Sequence, residues 1–134
     1  MDRAFKLGIA GLGTVGTGVV RLLNEHADLL AERSGRRIEI AAVSARNPAR
    51  DRGIDLSGYR WCEDPVELAN FDGLDAVVEV IGGTEGPALD LARASLDAGR
   101  SFVTANKAMI AEHGLALAAS AEHTGAALAF EAAV

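Results

Sequence analysis

Cysteine occurs once in the sequence, at Cys62, which excludes an internal disulfide framework and points to a reducing cytoplasm. Cysteine and histidine nowhere gather at metal-ligand spacing. His26, His113 and His123 lie scattered on predicted helices, so packing or surface roles are expected for them, and no metal is expected. No apolar run approaches the roughly 18 residues of a spanning helix. Asp2 and Arg3 lead straight into a short strand with no signal peptide, so a soluble protein without a membrane role is expected. Positive charge is also short: 13 basic residues face 19 acidic ones, a net charge of -6, which argues against a general nucleic-acid or anionic-membrane surface. A bound phosphate must therefore be held locally. Most of the basic residues are arginine, with only Lys6 and Lys107 as lysine.

What is present is a glycine run, Gly11-Leu12-Gly13-Thr14-Val15-Gly16, between the apolar segment Leu7 to Ala10 and a long amphipathic pattern. In a G-x-G-x-x-G turn the first glycine permits a tight exit from a strand. The second lets backbone approach a pyrophosphate, and the third lets helix pack on strand. Free N–H groups and the helix dipole then face the phosphates, so the loop needs no basic side chain. The alternative is a merely structural glycine turn. Strand before, helix after and a second strand beyond favour dinucleotide binding.

With 134 residues, 49% of them hydrophobic, residues 1–134 read as one α/β domain with a substantial core: a doubly wound, Rossmann-like parallel sheet. Phe5 to Ala10 predicts the first strand. A helix follows with Val15, Val19, Leu22, Leu23, Ala27 and Leu30 on one face, Gly18 packed close to the sheet, and Gly35 as its stop. Ile38 to Val43 is the second strand, and Ser44 to Tyr59 an irregular connection. A third strand falls at Arg60 to Cys62, before a brief helix with Asp64 as N-cap, Pro65 first and Glu67 completing a capping box. Ala76 to Ile81 predicts a central strand interrupted by Glu79, and Gly82 to Gly86 opens a helix over Pro87 to Ala98 that Gly99 ends. Phe102 to Thr104 delivers Ala105-Asn106-Lys107 to the carboxyl edge of the sheet, where ligands of such sheets bind. Ala108 to about His123 is then helical with a break at Gly114, and Ala127 to Phe130 forms a last strand. Glu131 to Val134 bring no closing helix, so a fragment of a longer enzyme is expected.

An NAD-selective site usually carries an acid at the end of the second strand to bind the adenosine ribose hydroxyls. That acid is missing. The strand ends at Ser44-Ala45-Arg46, and Glu39 lies too early. Arg46 suits a 2′-phosphate through charge-assisted hydrogen bonds, with no carboxylate standing ready to repel it, so NADP is favoured and NAD stays open. The competing reading makes Arg46 a solvated loop residue beside Arg50 and Arg52.

Three stretches go beyond a generic nucleotide fold: Gly11-Leu12-Gly13-Thr14-Val15-Gly16-Thr17-Gly18, Val78-Glu79-Val80-Ile81-Gly82-Gly83-Thr84-Glu85, and Val103-Thr104-Ala105-Asn106-Lys107-Ala108. In this order the chain resembles homoserine dehydrogenase, from about Lys6 to its last residue. The resemblance implies reversible hydride transfer between a nicotinamide cofactor, NADP or NAD, and aspartate semialdehyde or homoserine, on the route to threonine and methionine. It implies that Gly11, Leu12, Gly13, Thr14, Val15 and Gly16 hold the pyrophosphate and that Arg46 lies by the adenosine ribose. Gly83, Thr84 and Ala105 would border the cofactor, with Lys107 between nicotinamide and substrate as the catalytic lysine. The family's second half, which binds substrate and makes the homo-oligomer, is absent from this sequence.

A lysine there makes chemical sense, because negative charge that develops on an aldehyde oxygen is stabilised by a nearby ammonium. Rival readings are a reductase of another semialdehyde or of a cyclic imine, and a nucleotide-binding sensor in which Lys107 only contacts phosphate. Glu79 is either functional or satisfied by backbone donors or water. Asn106 caps the helix after it, contacts the cofactor, or both. Cys62 reads as a small buried residue, and Tyr59 and Trp61 as an anchor of the sheet edge to the loop or as contacts to adenine.

Overall fold

The computed structural model describes residues 3–130; the ending at Glu131 to Val134 lies outside the described residues. Six strands form one sheet: β1 (Phe5–Ala10), β2 (Ile38–Ser44), β3 (Arg60–Cys62), β4 (Ala76–Glu79), β5 (Ser101–Thr104) and β6 (Leu128–Phe130). Their order is β3-β2-β1-β4-β5-β6, and every neighbouring pair runs parallel. The chain therefore winds outward from β1 to β3, returns to the middle, and winds outward again from β4. The loops leaving β1 and β4 part at the carboxyl edge, which is where a doubly wound sheet opens its ligand crevice.

Alternation along the strands makes two cores. Ile9 and Val43 point to one face and pack with Leu12 and Val20. Ala10, Ala42, Val77 and Phe102 point to the other and meet Leu68, Leu89, Leu91, Met109 and Leu117. The first face carries α1 (Thr14–Glu25) and, after it, α2 (Ala27–Ser34); the second carries a 3-10 turn (Pro65–Asn70), α3 (Pro87–Asp97) and α4 (Lys107–Thr124). Asp75 ties the starts of β1 and β4 together, its carboxylate accepting from the Lys6 N–H at 2.8 Å and from Arg3 at 2.6 Å.

Several expectations are corrected. The single long helix after the glycine run is two helices, broken at His26 with φ -114° and ψ 25°; α2 ends at Gly35 as expected. The face of α1 that meets the sheet is Gly16 and Val20, with Val19 half-buried against the same core as expected, whereas Val15 and Leu22 are 59% and 53% exposed. Close approach of the third glycine sets the rotation of the helix, turning Val15 and Leu22 away from the core. Gly18 does not pack on the sheet: nothing lies within 4 Å of where its Cβ would be. The helix after Asp64 is a 3-10 turn, so the Asp64 carboxylate caps the N–H of Val66. α4 runs unbroken through Gly114. β4 stops at Glu79 because that carboxylate takes the N–H groups of Ile81 and Gly82, turning the backbone out of the ladder.

Candidate functional site

The glycine run leaves β1 at the carboxyl edge, and each glycine meets a different demand. Gly11 has φ +100°, and a Cβ there would stand 2.9 Å from the Val80 carbonyl. Gly16 lies so close to the Gly11 carbonyl that any Cβ would collide with it. Gly13 is the opposite case. Its backbone is extended at φ -78°, and nothing lies within 4 Å of a Cβ built on it, so neither backbone strain nor protein packing calls for a glycine there and the turn is open to a ligand. Gly13 is also the N-cap of α1, and no side chain caps it, nor does any acid occupy the first turn. The first N–H groups of α1 are therefore offered to whatever anion enters.

Two pockets share the wall formed by Val80 and Ile81. The larger, about 520 Å³, is lined by Gly11, Leu12, Gly13, Ser44, Arg46 and Arg52, with Glu63 and Pro65 on its outer side. The smaller, about 300 Å³, is lined by Val15, Glu79, Gly82, Ala105, Asn106 and Lys107. Together they flank the switch point on either side of the Val80–Ile81 wall, lined by both polar and apolar groups. The Ser44 hydroxyl is buried at the floor of the larger pocket without a hydrogen-bond partner among the described residues. Val15 and the 38% exposed Ile81 present apolar surface to the smaller. The residues present thus fit the group that the glycine motif calls for.

Of the residues expected in the site, Gly11, Leu12, Gly13 and Arg46 line the first pocket, and Val15, Ala105 and Lys107 the second. Thr14, Gly16, Gly83 and Thr84 line neither. Thr14 opens α1, Gly16 is buried beneath the loop, and Gly83 offers its carbonyl to the Asn106 side-chain amide. Asn106 also accepts the Met109 N–H at 3.0 Å, so it is the cap of α4. Lys107 is the first residue of that helix, which has no acid in its first turn. An ammonium there opposes the helix dipole.

Three site features escaped the sequence reading. Arg52 folds back over the irregular connection, donating to the carbonyls of Arg46, Asn47 and Arg50 and stacking on Trp61 at 5.4 Å. Trp61 is thus the loop's anchor, and Tyr59 bonds Asn24 at 3.0 Å. Glu63, beyond the end of β3, brings a carboxylate to the pocket that holds Arg46, which corrects the expectation that none stands near; β3 lies beside β2, and only the sheet order reveals it. Finally His113 Nε2 lies 3.0 Å from Glu85 and 3.7 Å from Glu112, three ligand atoms within 4.8 Å of one another. No spacing rule finds that group, because Glu85 and His113 are 28 residues apart. With the imidazole already bonded to Glu85, it clasps the Gly82–Gly86 loop to α4. Burial pushes the Cys62 thiol up, helped by the Glu67 charge and opposed by Arg60, so it stays protonated and unreactive.

Comparison with known proteins agrees with this geometry. Residues 11–131 match the family model described as homoserine dehydrogenase, NAD binding domain. The chain belongs to that family. A homoserine dehydrogenase of Pseudomonas aeruginosa is 42% identical over 129 residues, which is 96% of this chain and 29% of that protein. One from Corynebacterium glutamicum is 41% identical over 131 residues, 98% of this chain and again 29% of the relative. The crystal structure of S. aureus homoserine dehydrogenase at pH 6.5 superposes with a TM-score of 0.87 at 37% identity, covering 97% of this chain and 33% of the other. The chain thus spans under a third of the length of these relatives, and the family domain occupies the portion that carries the crevice. No helix among the described residues is long and apolar enough to cross a membrane.

Proposed function

We propose that residues 1–134 act as the cofactor-binding domain of a homoserine dehydrogenase, taking NADP in preference to NAD. The observation that carries this reading is the uncapped N-terminus of α1 behind Gly13, whose missing side chain leaves open space and nothing else. The amides following Gly13 hold the pyrophosphate, with Gly11, Leu12 and Thr14 shaping the turn and Gly16 seating the helix. Arg46 reaches the 2′-phosphate from a loop that Arg52 keeps folded. Val15, Gly83, Thr84 and Ala105 border the nicotinamide end.

When bound, the cofactor supplies or accepts the hydride. Lys107 then serves the substrate carbonyl. Its ammonium, on the rim of the smaller pocket, stabilises the negative charge that develops on the oxygen of aspartate semialdehyde and leaves homoserine protonated. Substrate contacts and the homo-oligomer belong to the rest of the enzyme, which we place in the reducing cytoplasm. On this reading the chain alone binds cofactor without turning over homoserine.

Calorimetric titration with NADPH and NADH, beside an Arg46→Ala variant, tests the proposal. Tighter NADPH binding that Arg46→Ala reduces to the NADH level supports it. Equal binding of both cofactors by the native chain removes the NADP preference, and binding of neither removes the dinucleotide site.

A further inference from the structure

Glu79 is the only buried charged side chain among the described residues, at 0% exposure. A carboxylate in such a place needs its hydrogen bonds supplied by the protein. They come from both halves of the smaller pocket. One oxygen accepts the N–H groups of Ile81 at 2.7 Å and Gly82 at 2.9 Å. The other accepts the hydroxyl of Thr104, its direct neighbour across the β4–β5 pairing. Thr104 Oγ1 in turn accepts the Asn106 N–H at 2.9 Å, and the Asn106 side chain returns to the Gly83 carbonyl. The circuit closes on itself. It ties the loop after β4 to the residue immediately before Lys107.

We propose that Glu79 and Thr104 are positioning residues for the nicotinamide end of the crevice: they hold the exits of β4 and β5 at one spacing, setting Ile81 and Gly82 opposite Ala105 and Lys107. This rests on the dinucleotide reading above. A carboxylate is the fitting group because both of its oxygens only accept, and all three partners here donate to it. A glutamine could keep the volume but would turn an amide toward Thr104. That hydroxyl would then accept from two sides, leaving its own proton without an acceptor. A valine at Thr104 would delete the link while filling the same space.

The test separates the two ends of the ligand. NADPH and its adenosine bisphosphate fragment, which lacks the nicotinamide, are titrated into the native chain and into Glu79→Gln, Thr104→Val and Thr104→Ser, each checked by its melting temperature. Glu79→Gln and Thr104→Val should each weaken NADPH about tenfold, the loss expected for one buried, charge-assisted bond. The fragment should stay within about twofold of native, and Thr104→Ser, which keeps the hydroxyl, should leave both ligands within about twofold. The double variant should lose little more than either single one, because both break the same circuit. Should Glu79→Gln fail to fold, the Thr104 pair decides alone. Folded variants that bind NADPH like the native chain, or that lose NADPH and fragment equally, overturn the proposal. A native chain that binds the fragment but gains nothing from the nicotinamide half also overturns it, while one that binds neither ligand defeats the dinucleotide reading itself.

Discussion

Gly16 sits against the carbonyl of Gly11, so close that even a single methyl group on Gly16 would overlap it. The third glycine of the run is thus a packing residue, buried under the turn that the first two make. Gly16→Ala must push α1 off β1. Its expected cost is about 1–3 kcal/mol, the range for overpacking a tight contact, read from chemical denaturation; an unchanged midpoint would show that the helix can shift at no cost.

Cofactor preference should respond to charge at the adenosine end. Glu63 lines the pocket that holds Arg46 and Arg52, and on the proposed reading its carboxylate would repel a 2′-phosphate bound there. Glu63→Gln should therefore tighten NADPH several-fold, by about 0.5–1 kcal/mol for a solvated charge contact, while leaving NADH almost unchanged. Added salt should narrow the difference. Equal tightening of both cofactors would show that Glu63 acts on something other than the phosphate.

Acid stability should depend on Asp75. Burial raises its carboxyl, but the Lys6 N–H and the Arg3 guanidinium outweigh burial and hold it below the ordinary 3.8. A folded-state value below the unfolded one lends stability that is full above the unfolded value and is lost as pH falls through the folded one. The native chain should lose this stability progressively as pH falls from about 5 through the ordinary carboxylate range and on through the lowered folded value, and Asp75→Asn should start less stable and flatten that fall. Parallel pH profiles for the two would assign the acid limb to other carboxylates.

In the complete enzyme, Lys107→Met should lower kcat by about a hundredfold or more, the scale of losing one donor to a developing oxyanion, with NADPH affinity kept within about threefold. Loss of NADPH binding with turnover preserved at saturating cofactor would make Lys107 a phosphate contact. The catalytic assignment would then fail.

How legible was this in the sequence? Strand positions and the glycine turn were open to reading because their rules are local: a turn needs φ above zero at Gly11, and a parallel strand buried on both faces is continuously apolar, as at Ala76 to Val78. The rotation of α1 was not. It depends on how near Gly16 comes to Gly11, and Val15, read as core, turns instead to the crevice. Arg52 and Glu63 reach the larger pocket through an irregular connection and through the adjacency of β3 and β2, so neither belongs to a motif. Glu79 was visible as an anomaly in a buried strand, but its partners lie across the sheet at Thr104 and around the turn at Ile81 and Gly82. Only the register supplies those.

The most direct test of the account is titration of NADPH into the native chain and Gly13→Ala side by side, with melting temperatures for both. Nothing surrounds the added methyl, so the fold should survive with at most about 1 kcal/mol lost at the helix cap. NADPH affinity should fall about tenfold or more, because backbone can no longer approach the pyrophosphate. A folded Gly13→Ala chain that binds NADPH as well as the native one would contradict the account.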